Sequence, residues 1–525
     1  MIMKCFAEYI EEKIYATPDG GICSIPKGEY YIERHINVVN RKNIVIDGNG
    51  SVIVSHYNNG SSDKPTCDVF HITGCKGIKL CNFVLETDTP VNITGTVESI
   101  NTDESSYVLS VLPDFKVTGK EIFMMQNSCD KAGSFDKRPE YYCADPDKNK
   151  VGMLAGEILL AGIYTGCKYD YLGNNRFNVY LPEWAIKSLT VGQTICVRHS
   201  SYGPVSILIK NSDDTFIENL TIYSAGGMGV IVLPCSENLY LDNYNLVLPE
   251  NSKRMMSGNC DGIHITGLCG KLTMENCDFE VLGDDALNIH STAATVAAVD
   301  SENGIIKCNY CKKRPDGILS PDWCKKGDII TVLDPETCNK KGEFKVISFE
   351  KDRLCYENLT GELKVGFILQ NTAFAAAVDI KNCNIRNTRA RAFVLQTENI
   401  EISDCEFYGM SLPAIQAAPD VRRWYEVGPV MNMNIHNNIF EKCGFVNDDC
   451  PVITVQDNHD KRGAGTPGVH KNIEITENVF KGKSGRCIFV TSTDGVKING
   501  NSFKDCKPNN NFIDCPMCRD AEISD

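Results

Sequence analysis

Three acidic residues are spaced in a way that could do chemistry. Asp261 stands in NCDGIHITG, and Asp284 and Asp285 stand together in VLGDDALNIH, 23 and 24 residues further along. A histidine follows each motif at a short interval, His264 and His290, with Asn288 between the acids and the second of them. Asp-Gly and Gly-Asp-Asp are also common turn sequences, in which Asp bonds its own backbone and Gly supplies a positive φ. If the chain winds back on itself once per 23 or 24 residues, however, the three carboxyl groups meet in one small patch. Like charges so close cannot all ionise freely, and one pKa must rise. That condition lets an acid and a base coexist near neutral pH, and two carboxyl groups flanking a bond are what glycoside hydrolysis uses.

The winding is legible as an internal repeat. A β-like apolar segment runs repeatedly into hydrophobe-x-x-(Asn/Cys)-x-hydrophobe: IEITENVF ending at Phe480, VKINGNSF at Phe503, NIEISDCEF at Phe407 and MNIHNNIF at Phe440. Further copies are KLTMENCDF ending at Phe279, VDIKNCNI at Ile385, YLDNYNL at Leu246, FIENLTI at Ile222 and KLCNFVL at Leu85. The marker slot of the motif holds Phe83, Leu220, Tyr244, Cys277, Cys383, Cys405, Asn438, Asn478 and Asn501, with smallest steps of 22, 23 and 24 residues. Short strands at that period cannot each bury a face alone but can stack as coils of a solenoid, with like residues stacked in the slot and Asn bonding along the ladder. The fold class expected is all-β, a right-handed parallel β-helix.

Two steps, 137 residues between Phe83 and Leu220 and 106 between Cys277 and Cys383, are too long for one coil. Each must hold roughly 80 to 110 residues of inserted structure. LTVGQTICVRH in the first insert and CKKGDIITVLD in the second share a Gly, a polar residue and a β-branched strand, so two small related β-barrels are expected. The division expected is 1–90, cap helix and first coils; 91–200, inserted barrel; 201–291, central coils with the acids; 292–372, second barrel; and 373–525, last coils. Phe6 to Tyr15 reads as an amphipathic helix suited to covering the open end of the solenoid.

Composition agrees with a chain folded throughout: 525 residues, 42% hydrophobic and 23% charged. With 68 acidic against 53 basic residues the net charge is −15, which repels phosphate backbones and argues against nucleic acid as a partner. No apolar run approaches the roughly 18 residues of a membrane helix, and MIMKCFAEYIEEKIYATPDG lacks a basic segment followed by an uninterrupted apolar one. No membrane partner is therefore expected, and the location expected is the cytoplasm, or outside the cell if a leader has been removed. The 26 cysteines are scattered through a long chain and read mostly as small reduced core residues.

These residues carry a family resemblance. SYGPVSILIKNSDDTFIENLTIYSAGGMGVIV, NSKRMMSGNCDGIHITG, GDDALNIH, NIRNTRARAFVL and RRWYEVGPVMNMNIHNNIFEKC resemble glycoside hydrolase family 110. With the solenoid pattern, the similarity runs over nearly the whole chain. The resemblance implies an exo-acting enzyme that removes terminal α-1,3-linked galactose with inversion, without a cofactor, from oligosaccharides or glycoconjugates of the linear or blood-group-B-like type. It places the catalytic roles on Asp261, Asp284 and Asp285. Within the trio, the expectation from the residues themselves is Asp261 or Asp284 as general acid and Asp285 on the water-activating side. The family more often shows Gly where this chain has Ala392 after NTRAR.

Other candidates are positional. His264, Asn288 and His290 are expected to bind substrate beside the acids. Trp424, in RRWYEVG, could offer a flat platform to the apolar face of galactose, with Glu426 either bonding sugar hydroxyls or pairing with Arg422 or Arg423. Arg254, Arg389 and Arg391 flank the acids and could hold either them or the sugar. Cys308 and Cys311 form a C-x-x-C with Cys324 and Cys338 later in the same insert, but the spacing is loose and no metal is expected. The Gly226-Gly227-Met228-Gly229 cluster has no helix after it and is not a nucleotide loop. A homo-oligomer is open. Three alternatives use the same scaffold: a polygalacturonase-like hydrolase, whose Gly-His-Gly and Arg-Ile-Lys signatures are not in place; a non-catalytic carbohydrate-binding solenoid; and a lyase, whose acids would be calcium ligands.

Overall fold

The computed structural model describes residues 6–123, 144–145, 150–151, 168–181, 183–187, 189–192, 194–200, 202–309, 322–421, 424–457, 466–508 and 511–524. Two long parallel ladders dominate it. In one, Ile36, Phe70, Ile207, Val230, Ile263, Leu287, Phe393, Ile415, Ile453, Ile488 and Ile513 pair coil on coil in a single register. Of these, all but Ile513 are fully buried. One apolar position per coil therefore stacks along the axis, and the solenoid interior is this column repeated. The second ladder carries the repeat motif, with Leu220 paired to both Phe83 and Tyr244. The coils form the expected parallel β-helix.

The corner of each coil explains why the motif is so regular. In every copy the residue just before the marker slot takes a positive φ, from Asn82, Asn219, Asn243, Asn276 and Asn382 to Asp404, Asn437, Glu477 and Gly500, with values between +48° and +70°. Asn and Gly tolerate that left-handed conformation best, and it turns the strand sharply into the next sheet. Inside the corner the slot residues bond along the axis. Cys405 donates its N–H to Asn438 Oδ1 at 2.9 Å, Asn438 donates to Asn478 Oδ1 at 3.0 Å, and Asn478 to Asn501 Oδ1 at 3.0 Å. Two residues on, Phe407, Phe440, Phe480 and Phe503 stack with centroids 4.7, 5.1 and 5.3 Å apart.

Both inserts leave this ladder and return to it. In the first, strands Asn92–Asn101, Ser106–Val111, Tyr169–Gly173, Arg176–Tyr180 and Thr194–Arg198 form an antiparallel sheet with its own core of Ile93, Tyr107, Phe177 and Val197. In the second, Leu287–Asp300 runs on from the β-helix and pairs with Ile305–Asn309. Arg353–Gly361, Lys340–Glu350, Ile329–Leu333 and Ile368–Asn371 follow in turn, and Ile368–Asn371 pairs back onto the first strand, closing a barrel. Trp323 fills it and donates its indole N–H to Thr292 O at 2.7 Å. The N-terminal helix, Ala7–Ala16, buries Ala7, Ile10 and Ile14 against the first coils. Arg34 fixes it with a two-pronged bond to Glu11 at 2.7 and 2.8 Å. No helix among the described residues is long and apolar enough to cross a membrane. The described cysteines are all free thiols, and Cys277, Cys383, Cys405, Cys443 and Cys487 are buried in the solenoid core.

Candidate active site

Strands Ile263–Thr266 and Leu287–Asp300 are neighbours in register, His264 beside Asn288 and Thr266 beside His290. The turns that feed them are consequently in register too. Gly262 donates its N–H to Asp285 O at 2.8 Å, and Asp285 N–H points at Asp261 Oδ1 at 3.3 Å. Asp284 and Asp285 both lie in the bend just before Leu287, outside the regular strand. That bend allows adjacent residues to face the same groove. One oxygen of each of Asp261, Asp284 and Asp285 lies within 4.8 Å of the others. One winding of the chain thus brings the three acids together.

Their surroundings differ. Arg391, from the next coil, holds Asp285 with Nε at 2.8 Å and Nη2 at 3.0 Å, and adds its main-chain N–H to Oδ1 at 3.0 Å. Arg389 donates Nη2 to Asp284 Oδ1 at 3.0 Å and Nε to Gly283 O. Asp261 meets His264 Nδ1 through Oδ2 at 2.6 Å. The side chain of Asp284 is 19% exposed, against 7% for Asp261 and 4% for Asp285, so Asp284 is the acid most open to a ligand. Burial, then the charges of Asp285 and Asp261, raise the Asp284 pKa well above the usual range. Burial, then Asp285 and Glu426, raise that of Asp261.

The other expected residues divide into two groups. His264, Asn288, His290 and Glu426 come together beside the acids. His264 Nε2 faces His290 Nε2 at 3.3 Å, His290 Nδ1 bonds Ser291 O at 3.1 Å, and Asn288 Nδ2 donates to Glu426 Oε2 at 3.2 Å. Glu426 arrives on the short strand Glu426–Val427, which pairs antiparallel with Ser291 and Thr292 as the chain leaves the β-helix for the second barrel. Asn288 Oδ1 is buried without a hydrogen-bond partner among the described residues. Trp424 is half-buried, one residue before Tyr425, whose φ is +59°. Arg254 is directed elsewhere, to Glu86 at 3.2 and 3.3 Å. Arg422, Arg423 and Cys311 lie outside the described residues.

Among the described residues, two groups are compact enough to surround a cation, Asp261 with Asp284 and Asp285, and His264 with His290 and Glu426. Ion pairs to Arg389 and Arg391 and the Asp261–His264–His290 chain of hydrogen bonds account for most of these approaches. In the second barrel, burial pushes the Cys308 thiol up to about 12.

Two residues unforeseen in the sequence complete the site. Arg198, from the first insert, donates to Asn259 O at 2.8 Å and to Gly283 O at 2.9 Å. Asn92 donates to Asn259 Oδ1 at 3.1 Å. The available signal was a charged residue, Arg198, at the end of the apolar alternation TICVR.

Comparison with known proteins agrees with the fold. The family Beta_helix, described as a right handed beta helix region, matches residues 366–515. Alpha-1,3-galactosidase A of Shewanella woodyi is 26% identical over 484 residues, covering 88% of this chain and 73% of that protein. Alpha-1,3-galactosidase B of Bacteroides thetaiotaomicron is 25% identical over 515 residues, 92% of this chain and 80% of that one. A solved structure, the Yersinia enterocolitica family 28 exopolygalacturonase, overlays 98% of this chain and 75% of its own at a TM-score of 0.43 and 10% identity, too distant to bear on activity. By relationship over most of its length, the chain is a homologue of the curated α-1,3-galactosidases and a glycoside hydrolase on a right-handed parallel β-helix, consistent with glycoside hydrolase family 110.

Proposed function

We propose that the protein is an exo-acting, inverting α-1,3-galactosidase whose reaction centre is Asp261, Asp284 and Asp285. One observation carries the reading: three carboxyl groups from adjacent coils share a patch in which Arg391 is paired to Asp285, while burial and that neighbour raise Asp284. Asp284, the most open of the three, is the general acid. Its proton goes to the glycosidic oxygen as the C1–O bond breaks, and the aglycone leaves as an alcohol. Asp285, with Asp261 beside it, takes a proton from the water that attacks C1 from the opposite face. The product is β-galactose. His264, Asn288, His290 and Glu426 stand together beside the acids and suit galactose hydroxyls. Asn288 Oδ1, buried and unpartnered, is an acceptor for one of them.

The compactness of the trio favours a second reading. Inverting enzymes usually separate their carboxyl groups by about 6.5–9.5 Å, and retaining ones by about 5–5.5 Å. Oxygens within 4.8 Å of one another lie nearer the retaining value. Against a covalent nucleophile stands the three-fold hold on Asp285, whose two oxygens both accept from Arg391. Proton NMR of galactose released from linear and branched Galα1-3Gal oligosaccharides, with α-1,4 and α-1,6 isomers as controls, separates the readings. β-Galactose appearing first, from α-1,3 compounds alone, is the expected result. α-Galactose appearing first means retention, and no release by folded protein favours a carbohydrate-binding solenoid.

A further inference from the structure

We propose that Arg198 is a positioning residue for this reaction: the first insert reaches into the β-helix and uses one guanidinium to set the separation of the turns carrying Asp261 and Asp284. The inference rests on the glycosidase reading for its kinetic consequence and on geometry for its structural one. Arg198 is 7% exposed, and its guanidinium donates to two main-chain carbonyls, Asn259 O at 2.8 Å and Gly283 O at 2.9 Å. Asn259 stands two residues before Asp261, and Gly283 immediately before Asp284. The carbonyls belong to successive coils, so one planar fork spans the step between them. A lysine ammonium, as a point donor, does not reproduce that span.

The rest of the contact is built to the same end. Arg198 pairs with Asn92 where the insert's first and last strands meet. Asn92 Nδ2 donates to Asn259 Oδ1 at 3.1 Å, Asn259 Nδ2 returns bonds to Val91 O at 3.0 Å and Ser200 O at 3.2 Å, and Met255 N–H bonds Thr94 Oγ1 at 3.2 Å. Both the exit and the entry of the insert therefore grip the turn leading to Asp261. Across the step the turns already touch. A Cβ on Gly283 would lie 2.3 Å from Met256 Cε and 2.4 Å from Asn259 O, so there is no slack for the coils to close further. On its other side Gly283 O accepts Arg389 Nε, whose guanidinium also holds Asp284. The acid is thus placed by two arginines through one carbonyl, one from the insert and one from the following coil.

Misplacing a reacting group by about 1 Å costs on the order of 10²-fold in rate. Arg198→Met and the milder Arg198→Lys are expected to lower kcat about 100-fold and 10-fold. KM should stay within about threefold, because His264, Asn288, His290 and Glu426 sit on strands paired through their own ladders. Arg176→Ala, which breaks only the exposed Arg176–Glu98 pair of the same insert, should change neither constant. The test compares these variants on linear Galα1-3Gal, with folded fraction measured by thermal unfolding, and adds a crystal structure of Arg198→Met. A kcat loss in folded protein together with turns 259–261 and 283–285 displaced relative to one another supports the proposal. Unmoved turns overturn it, as does a kcat within twofold of the parent or a loss matched by the unfolded fraction. If the parent protein releases no galactose, the glycosidase reading fails, and the position of the two turns still decides the role of Arg198.

Discussion

Asp285→Asn keeps the shape of the side chain and removes one negative charge from the centre. In the parent, Arg391 donates to both Asp285 oxygens, at 2.8 and 3.0 Å from its side chain and 3.0 Å from its main chain. An amide accepts through one oxygen only, so one guanidinium N–H faces a donor. Loss of a hydrogen bond to a charged group costs about 1.5–3 kcal/mol of stability. The kinetic cost is larger. Removing a general base lowers the rate by about 10²–10⁴, or roughly 2.7–5.4 kcal/mol of transition-state stabilisation. The residual activity carries a second signature. The Asp285 charge stands next to burial among the causes that raise Asp284, so neutralising it lets the Asp284 pKa fall. The general acid works protonated, and the alkaline limb of kcat/KM should therefore move to lower pH. Galactose release from linear Galα1-3Gal between pH 4.5 and 9 measures both effects. Full activity in the variant, or an alkaline limb that moves upward, refutes the assignment of Asp285 and the electrostatic coupling behind it.

Asp284→Asn should lower turnover by about 10²–10⁴-fold while raising thermal stability at pH 7.5. The folded state binds the Asp284 proton more tightly than the unfolded chain, whose pKa is about 3.9. The cost of ionising it in the fold is absent below about pH 4 and grows as pH rises to the raised folded pKa, so calorimetry should show the advantage of Asn vanishing in acid. Asn438→Leu removes bonds to Asn478 Oδ1, Ile402 O and His436 O and leaves the Cys405 N–H without its acceptor. At about 1–3 kcal/mol per orphaned buried group, urea unfolding of the last coils should begin at clearly lower denaturant. Dithiothreitol should leave the melting temperature unchanged, since the described cysteines are free thiols; a lower melting temperature under reduction would point to a disulfide.

Proximity in this fold is legible wherever no insert lies between two residues. Asp261 and Asp285 are 24 residues apart, one coil, and spacing alone brings them together. The slot series from Cys383 to Asn501 is legible for the same reason, and its Asn ladder follows from like residues stacking. Arg389 and Arg391 lie about one coil beyond the acids in space but 105 and 106 residues away in sequence, because the second barrel intervenes. Glu426 is 138 residues from Asn288, on a strand that pairs with the root of that barrel. Arg198 reaches its carbonyls from 61 and 85 residues upstream, out of an insert whose docking no periodicity describes. Arg254 shows the converse. Its nearness to Asp261 in sequence suggested the acids, yet its ion pair is with Glu86, 168 residues away near the end of strand Lys76–Thr87.

A parallel ladder imposes a cost that the same ladder then resolves. Stacking strands about 4.8 Å apart brings acids on successive coils into repulsion whenever they occupy one angular position. A purely structural solenoid avoids this, as the column of Ile, Leu, Val and Phe in this chain does. Here the acids are tolerated because each meets a different neighbour: Asp285 a two-pronged arginine, Asp284 a single arginine bond, and Asp261 a histidine. Three like groups are thereby made unlike, one paired at both oxygens and the other two pushed toward holding a proton. Two of those neighbours come from the coil after the acids. On the proposed assignment, the division of labour between acid and base is written in the order of coils, and an arginine lost from positions 389 or 391 should disturb proton transfer before it disturbs the fold.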